Sequence, residues 1–329
     1  MKATIRDIAK KAGVTTATVS YVLNQKPNSR ISDKTKEKVL SAAKNLHYSP
    51  HLHARSLATG RSFTIAAHML GPLDGALHDP YVIDVLRGVI KKASLSDYAV
   101  QVAVEDQTPK HHGVDGWICL SSRHPLPEQT LQDCPVLYLD PSRDFGNNCY
   151  WAQNRAAGEL LAEKIAPYHS KALFVAHEPL KESAISYQKR FEAFHDIFTA
   201  QHGPQSVLLD HLHPDSPAEE YRRFSDKWIV TLRQSKIRVI ICVSDMLASK
   251  IQQLLLSSGL RIPDDLGIVG FDNTTHSQMA IPAITTVDMQ AEQMGIGAVQ
   301  CLIEHVNGRK AAMLAPPPRW IPRASYPIE

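Results

Sequence analysis

The stretch TIRDIAKKAGVTTATVSYVLN, Thr4–Asn24, reads as two short helices joined by a tight turn. Ile5, Ile8, Ala9 and Ala12 recur at i, i+3, i+4 and i+7 as one apolar stripe, leaving Arg6, Lys10 and Lys11 outside it. Gly13 ends that helix, because glycine enters the left-handed helix-end conformation without a Cβ penalty. Thr15 or Thr16 then caps a second helix whose inward face is Val19, Val22 and Leu23. Thr16, Ala17, Ser20 and Tyr21 stay near its exposed amino-terminal half, where the second helix of a helix-turn-helix meets base edges in DNA. An ordinary helical hairpin is the rival reading.

Charge separates the two readings. The 329 residues carry a net charge of only +3, but residues 1–61 hold twelve Lys and Arg against three Asp and Glu, while residues 62–329 hold twenty-four against thirty. A head of +9 on a body of −6 is the footprint of phosphate binding, since each neutralised phosphate releases counterions. A hydrophobic fraction of 43% with 21% charged residues excludes wholesale disorder. No apolar run nears the roughly 18 residues of a membrane span, and the first residues read as a helix instead of a signal peptide, so a cytoplasmic protein with no membrane partner is expected. Cys119, Cys134, Cys149, Cys242 and Cys301 form no C-x-x-C pair, so neither a disulfide framework nor a zinc site is expected.

After Asn24, Pro27, Asn28 and Ser29 mark a loop, and Ile31-Ser32 reads as a staple residue and an N-cap. A third helix follows with Val39, Leu40, Ala43 and Leu46 on its apolar face and Lys34, Lys36, Lys38 and Lys44 outside. Tyr48-Ser49-Pro50 closes the head. HLHARSLATGR, residues 51–61, is either a plain linker or a hinge helix with Ala54 and Leu57 on one face and Arg55 beside them. A helix this short is marginal in water and would order only with DNA and a second copy present, Leu57 acting as a minor-groove wedge.

From Phe63 the pattern becomes short apolar strands alternating with helices, the mark of parallel βαβ construction. FTIAAHML, YAVQVAVE, GWICL, PVLYLD, ALFVAH, QSVLLD, RVIICVS, GIVGF and ITTVDM read as strands. YVIDVLRGVIKKASLS and residues 155–165, 184–200, 217–234 and 246–258 read as helices. Two doubly wound α/β subdomains fit, with ligands bound at the carboxyl ends of the strands. No G-x-S-x-G, P-loop, G-x-G-x-x-G or H-E-x-x-H occurs, so an enzyme is not expected. His111-His112 and the H-x-H runs at His51/His53 and His211/His213 lack a cysteine or carboxylate at metal spacing, so no metal or other cofactor is expected.

The chain resembles the LacI/GalR family of bacterial transcriptional regulators along nearly its whole length. The likeness rests on IRDIAKKAGVTTATVSYVLN, KTKEKVL and YSPHLHARSL in the head. In the body it rests on DPY with RGVI, VDGWI, SDMLA, GLRIPDDLGIVGFDN, PAITTV and the Arg-x-Ser of Arg323 and Ser325. The resemblance implies a helix-turn-helix head over residues 1–50, a hinge over 51–61, and a periplasmic-binding-protein-like body of two α/β subdomains over 62–329. It implies a homodimeric regulator, most simply a repressor, on a near-palindromic double-stranded DNA operator, controlled by a small effector. A DNA binder without effector control and a solute-binding module are the alternatives.

Position by position, the resemblance makes Thr16 and Ala17 base readers and Leu57 the hinge wedge, with Ser20 and Ala54 beside them. Tyr21 stands at a third reading position where many members have arginine. Arginine grips guanine bidentately, worth roughly 1–3 kcal/mol of discrimination, and tyrosine cannot. Two residues are inserted around Asn28–Arg30, bringing Arg30 near the DNA backbone. Effector contacts are expected at Tyr81, Asp140, Tyr187, Ser244 and Asp272, aspartates and aromatics that suit a sugar. Tyr187 is aligned with an arginine and Ser244 with an asparagine of many members, which makes the site less suited to an anionic or standard sugar ligand. The link DQTPKHHG is too short for the usual crossover helix, so either a strand is displaced or the link is irregular.

Overall fold

The computed structural model describes residues 3–23, 31–46, 56, 59–69, 78–104, 113–120, 126, 134–141, 144, 148–213, 215–234, 236–309, 311 and 315–328. The chain forms two compact units, Met1–Ser62 and Phe63–Glu329.

In the head, α1 (Ile5–Ala12) starts at a capping box. The Thr4 amide donates to Asp7 Oδ2 at 2.8 Å, and the Asp7 amide donates to Thr4 Oγ1 at 3.4 Å. Gly13 ends it at φ 68°, in the left-handed region as its position requires. Thr15, not Thr16, caps α2 (Thr16–Leu23), its Oγ1 accepting the Thr18 amide at 3.1 Å. Ser32 caps α3 (Asp33–Asn45) by accepting the Thr35 amide. Ile8, Ala9, Val19, Val22, Val39, Ala42 and Ala43 make the core. Leu40, expected inside, is 54% exposed. The inward stripe is instead Val39, Ala42, Ala43 and Leu46, at i, i+3, i+4 and i+7, and Leu40 falls outside it.

The body holds two sheets. The first runs β2 (Ala99–Val104), β1 (Thr64–Met69), β3 (Gly116–Leu120), β4 (Val136–Leu139), β5 (Cys149–Tyr150), all parallel. The short link 105–112 lies outside the described residues, but no strand is displaced: β1 has β2 on one side and β3 on the other. The second sheet runs β11 (Arg319–Ile321), β10 (Thr285–Asp288), β9 (Gly267–Phe271), β8 (Val239–Cys242), β6 (Ala172–Ala176), β7 (Val207–His211), parallel except for β11. Helix α4 (Pro80–Leu95) packs on the first sheet, and α5 (Asn154–Ile165), α6 (Ile185–His202), α7 (Ala218–Gln234) and α8 (Asp245–Ser257) belong to the second. The sequence reading missed β5, the short α9 (Thr275–Met279), β11 and α10 (Ala291–Val306). Helix α10 returns to pack along α4 and against β3 and β4, so the chain crosses between the lobes after β5, after β10 and again before β11. Among the described residues no helix is long and apolar enough to cross a membrane.

Candidate functional site

On α2, Val19 and Val22 are buried while Thr16, Ala17 and Tyr21 are exposed, Tyr21 at 45%, and Ser20 is half-buried. Arg6, Lys10, Lys11, Lys34, Lys38 and Lys44 are exposed around this three-helix core. Lys36 is drawn onto Asp33 at 2.9 Å. Arg30, His51, His53, Ala54, Leu57, His111 and His112 lie outside the described residues.

The polar cluster in the body is built on Arg190, which the sequence reading did not single out. It is 2% exposed on the second turn of α6. Its Nε donates to Asn154 Oδ1 at 2.8 Å and its Nη1 to the Val243 carbonyl at 3.0 Å, while Nη2 pairs with Asp272 Oδ1 at 3.1 Å. The guanidinium also lies over Phe271 at 4.8 Å and Tyr187 at 5.5 Å from the ring centroids. Asn154 Nδ2 passes the link on to Asp140 Oδ1 at 3.0 Å. Asp140 comes from the end of β4 in the first lobe, with φ 43°. Asp79 caps α4 by accepting the Tyr81 amide at 2.9 Å, and the Tyr81 hydroxyl donates to Met294 Sδ at 3.2 Å.

One carboxylate, Asp272, therefore pairs with the buried guanidinium directly, Asp140 is linked to it through Asn154, and Asp79 is within electrostatic reach of it. Burial pushes Asp79, Asp140 and Asp272 upward, and Arg190 only partly offsets it, leaving Asp272 at about 7. Burial opposes the charge of Arg190, but Asp272, Tyr187 and Asp140 together hold its pKa above the ordinary value. The Tyr81 and Tyr187 phenols are pushed well up, first by burial and then by the carboxylates, so both are hydrogen-bond donors at any physiological pH. Four expected residues, Tyr81, Asp140, Tyr187 and Asp272, thus come together. Ser244 joins less directly: it caps α8 by accepting the Leu247 amide, and its hydroxyl lies 2.8 Å from His177 Nε2. His177 is held neutral, its pKa lowered to about 3 by burial, and its ring meets Tyr187 edge-on at 5.1 Å.

Tyr187, aligned by the resemblance with an arginine of many members, is followed three residues on along the same helix by Arg190, which brings a guanidinium to the site over the Tyr187 ring. A cation beside Phe191 and Phe194 on an otherwise apolar face was the available signal. Among the described residues no group of three His, Cys, Asp or Glu is arranged to hold a metal ion.

Asp272 carries a testable pH dependence. Its carboxyl holds a proton more tightly in the fold than in the unfolded chain, so its contribution favours the fold at acid pH and is lost as pH rises through about 7. Melting profiles should fall by about 1 kcal/mol between roughly pH 6 and 8, and Asp272→Asn should flatten that window and raise the midpoint at its alkaline end.

Residues 4–51 match the lacI family of bacterial regulatory proteins, and residues 168–326 match a periplasmic binding protein-like domain. A ribose operon repressor of Halalkalibacterium halodurans is 30% identical over 314 residues, 92% of this chain and 90% of its own length. The chain belongs to the LacI family. The HTH-type transcriptional repressor PurR of Histophilus somni is 25% identical over 93% of this chain and 92% of its own length. The fold is that of the lac repressor dimer bound to operator and the anti-inducer ONPF (23% identity over 99% of each chain, TM-score 0.69). It is also that of the regulator CelR in its cellobiose complex (22% identity over 98% and 99% of the two chains, TM-score 0.66). As a LacI-family protein with a helix-turn-helix head, it is a DNA-binding repressor controlled by a small-molecule effector. Its relatives are transcriptional repressors and not enzymes.

Proposed function

We propose that the effector is a neutral polyol, a sugar or sugar derivative, held between the lobes by Asp79, Asp140, Asp272 and Arg190 with Tyr81 and Tyr187 against its ring. The carrying observation is the excess of carboxylates: buried Asp272 pairs with the Arg190 guanidinium, half-buried Asp140 reaches it through Asn154, and half-buried Asp79 lies within its electrostatic reach. Hydroxyl groups donate to such carboxylates, whereas a phosphate or carboxylate ligand would meet like charge in a desolvated site. Two names among the similar proteins point the same way, a ribose operon repressor and a cellobiose-bound regulator, while the PurR repressors make a purine the competing ligand class. Thermal-shift screening with sugars, sugar phosphates, nucleosides and amino acids tests it. Neutral sugars should raise the midpoint and their phosphates should not; flat shifts with every neutral sugar, or a shift with nucleosides alone, would overturn the polyol assignment.

The head spans 1–50, the hinge 51–61 and the body 62–329 in this reading. Thr16, Ala17, Ser20 and Tyr21 face bases, Arg30 the backbone, and Ala54 and Leu57 the minor groove. An effector that prefers one closure state of the lobes shifts the population of DNA-competent heads. Without the arginine fork, Tyr21 forgoes a bidentate guanine contact, so Tyr21→Arg should select a different base at one position of each half-site from a random DNA pool, with roughly tenfold or greater preference. Recovery of the parent's site would refute that role.

Homodimerisation is supported by Met279 and Ile281, 80% and 87% exposed, beside a cavity of about 430 Å³ lined by Gln252, His276 and Leu256. In that cavity Gln252 Oε1 and His276 Nδ1 are buried with no hydrogen-bond partner among the described residues. A second copy related by a two-fold axis would cover both features at once. Met279→Lys with Ile281→Lys should sediment as a monomer with an unaltered melting midpoint and bind operator at least tenfold more weakly, about 1.4 kcal/mol.

A further inference from the structure

We propose that Arg323 is a positioning residue for the effector cleft: from the carboxy-terminal segment it clamps Asn273, and through Asn273 it holds Asp272 on Arg190. This rests on the assignment of Asp272 to the effector site.

The need for a clamp lies in the backbone. Asp272 and Asn273 are consecutive non-glycine residues with φ 96° and 57°. Side chains disfavour that region, so neighbouring contacts must hold the two residues there. Backbone contacts supply part of the hold. The Asp272 amide donates to the Val287 carbonyl at 2.8 Å, the Asn273 amide to Thr286 Oγ1 at 3.3 Å and the Thr274 amide to Asp245 Oδ2 at 2.7 Å. Thr286 is itself fixed, its hydroxyl donating to Asp245 Oδ1 at 2.7 Å.

Arg323 supplies the remaining hold, on a side chain. Its Nη2 donates to Asn273 Oδ1 at 2.5 Å, and its Nη1 donates to Ser277 Oγ at 3.1 Å and to the Ile284 carbonyl at 2.8 Å. Its own amide donates to Thr285 Oγ1 at 2.8 Å. One guanidinium fork therefore ties the start of the 273–284 segment to its end, and the planar geometry of arginine suits two such acceptors. The carboxylate that this loop presents is faced by Arg190 from α6, by Asp245 from α8 and by Asp79 ahead of α4, with Tyr81 and Tyr187 nearby. Arg323 reaches Asp272 through Asn273, so its effect should be read in how Asp272 titrates.

The decisive variant is Asn273→Gly. Glycine accepts φ 57° without penalty and deletes only the acceptor of the clamp. Melting midpoints would be measured from about pH 6 to 8 for the full-length parent, Asn273→Gly and Arg323→Gln, each with and without Asp272→Asn. The difference that Asp272→Asn makes to the pH profile isolates the buried carboxylate. In the parent that difference is expected to be present; in both clamp variants it should fall by at least half, because a released Asp272 is hydrated and titrates as an ordinary aspartate. A purely structural Arg323 would lower the midpoint equally at every pH and leave the difference intact, and that result overturns the proposal. If Arg323→Gln does not fold, Asn273→Gly alone decides. The readout needs no effector, so a cleft that binds no sugar would count against the assigned ligand class and not against the clamp.

Discussion

A protein carrying Arg190→Met is expected to unfold about 3–5 kcal/mol more easily than the parent, the cost typical of removing one partner from a buried charge network. Methionine nearly matches the volume, so a cavity is not the cause. The loss comes from what is left behind: Asn154 Oδ1 and the Val243 carbonyl lose their donors, and Asp272 and Asp140 lose the charge that most offsets their burial. Urea denaturation at neutral pH measures it. Because the orphaned carboxylates then protonate, the deficit should shrink as pH falls, and any effector-induced rise in melting temperature should vanish. A second change, Asp272→Asn, should recover part of the stability, and the double-mutant cycle gives the coupling. An Arg190→Met protein as stable as the parent would show that the guanidinium is not what holds the cleft together.

Gly88→Val should be nearly as damaging although it lies in the middle of a helix, where replacing glycine by valine ordinarily gains about 0.3 kcal/mol of propensity. Here packing overrules propensity. A Cβ on Gly88 would strike the Glu292 carbonyl, and one on Gly295 would strike the Val85 carbonyl, so α4 and α10 meet glycine to glycine. Both obstacles are backbone, which cannot rotate away. Overpacking costs about 1–3 kcal/mol where side chains can adjust, and a rigid partner puts this case at or above the upper end. The Lys91–Glu292 pair at 2.7 Å joins the same two helices, is largely exposed, and would not compensate. Gly297 is the control. A Cβ there would meet Tyr150 Oη at an ordinary 3.7 Å, so Gly297→Ala should be neutral or slightly stabilising in the same melts.

Much of the fold was readable because its determinants are local. The stripe from Ile5 to Ala12, the left-handed stop at Gly13 and the cap before Asp33 are spacings and residue types that act within a few positions, and each is found where the sequence puts it. The apolar strand runs were equally plain, since a parallel strand buried on both faces must be apolar throughout. Leu40 misled because a helix face is only a direction, and the direction counts for nothing without knowing which neighbour comes close. Helix α10 was missed because it belongs to the first lobe but follows the last strands of the second.

The amino-acid sequence by itself determined that this protein has a basic helix-turn-helix head and an α/β body, that Tyr21 stands on the exposed face of the second helix, and that Tyr81, Asp140, Tyr187 and Asp272 were worth watching. Periodicity, charge and turn chemistry are properties of neighbours in the chain. Only the tertiary structure decided that Arg190 is the centre on which those residues converge, and that Arg323, fifty residues beyond Asn273, is tied to it. Those are matters of burial and of chain crossings between two sheets. Whether a charge is a solvated surface group or the hub of a desolvated network depends on what surrounds it in space, and residues far apart in sequence supply those surroundings.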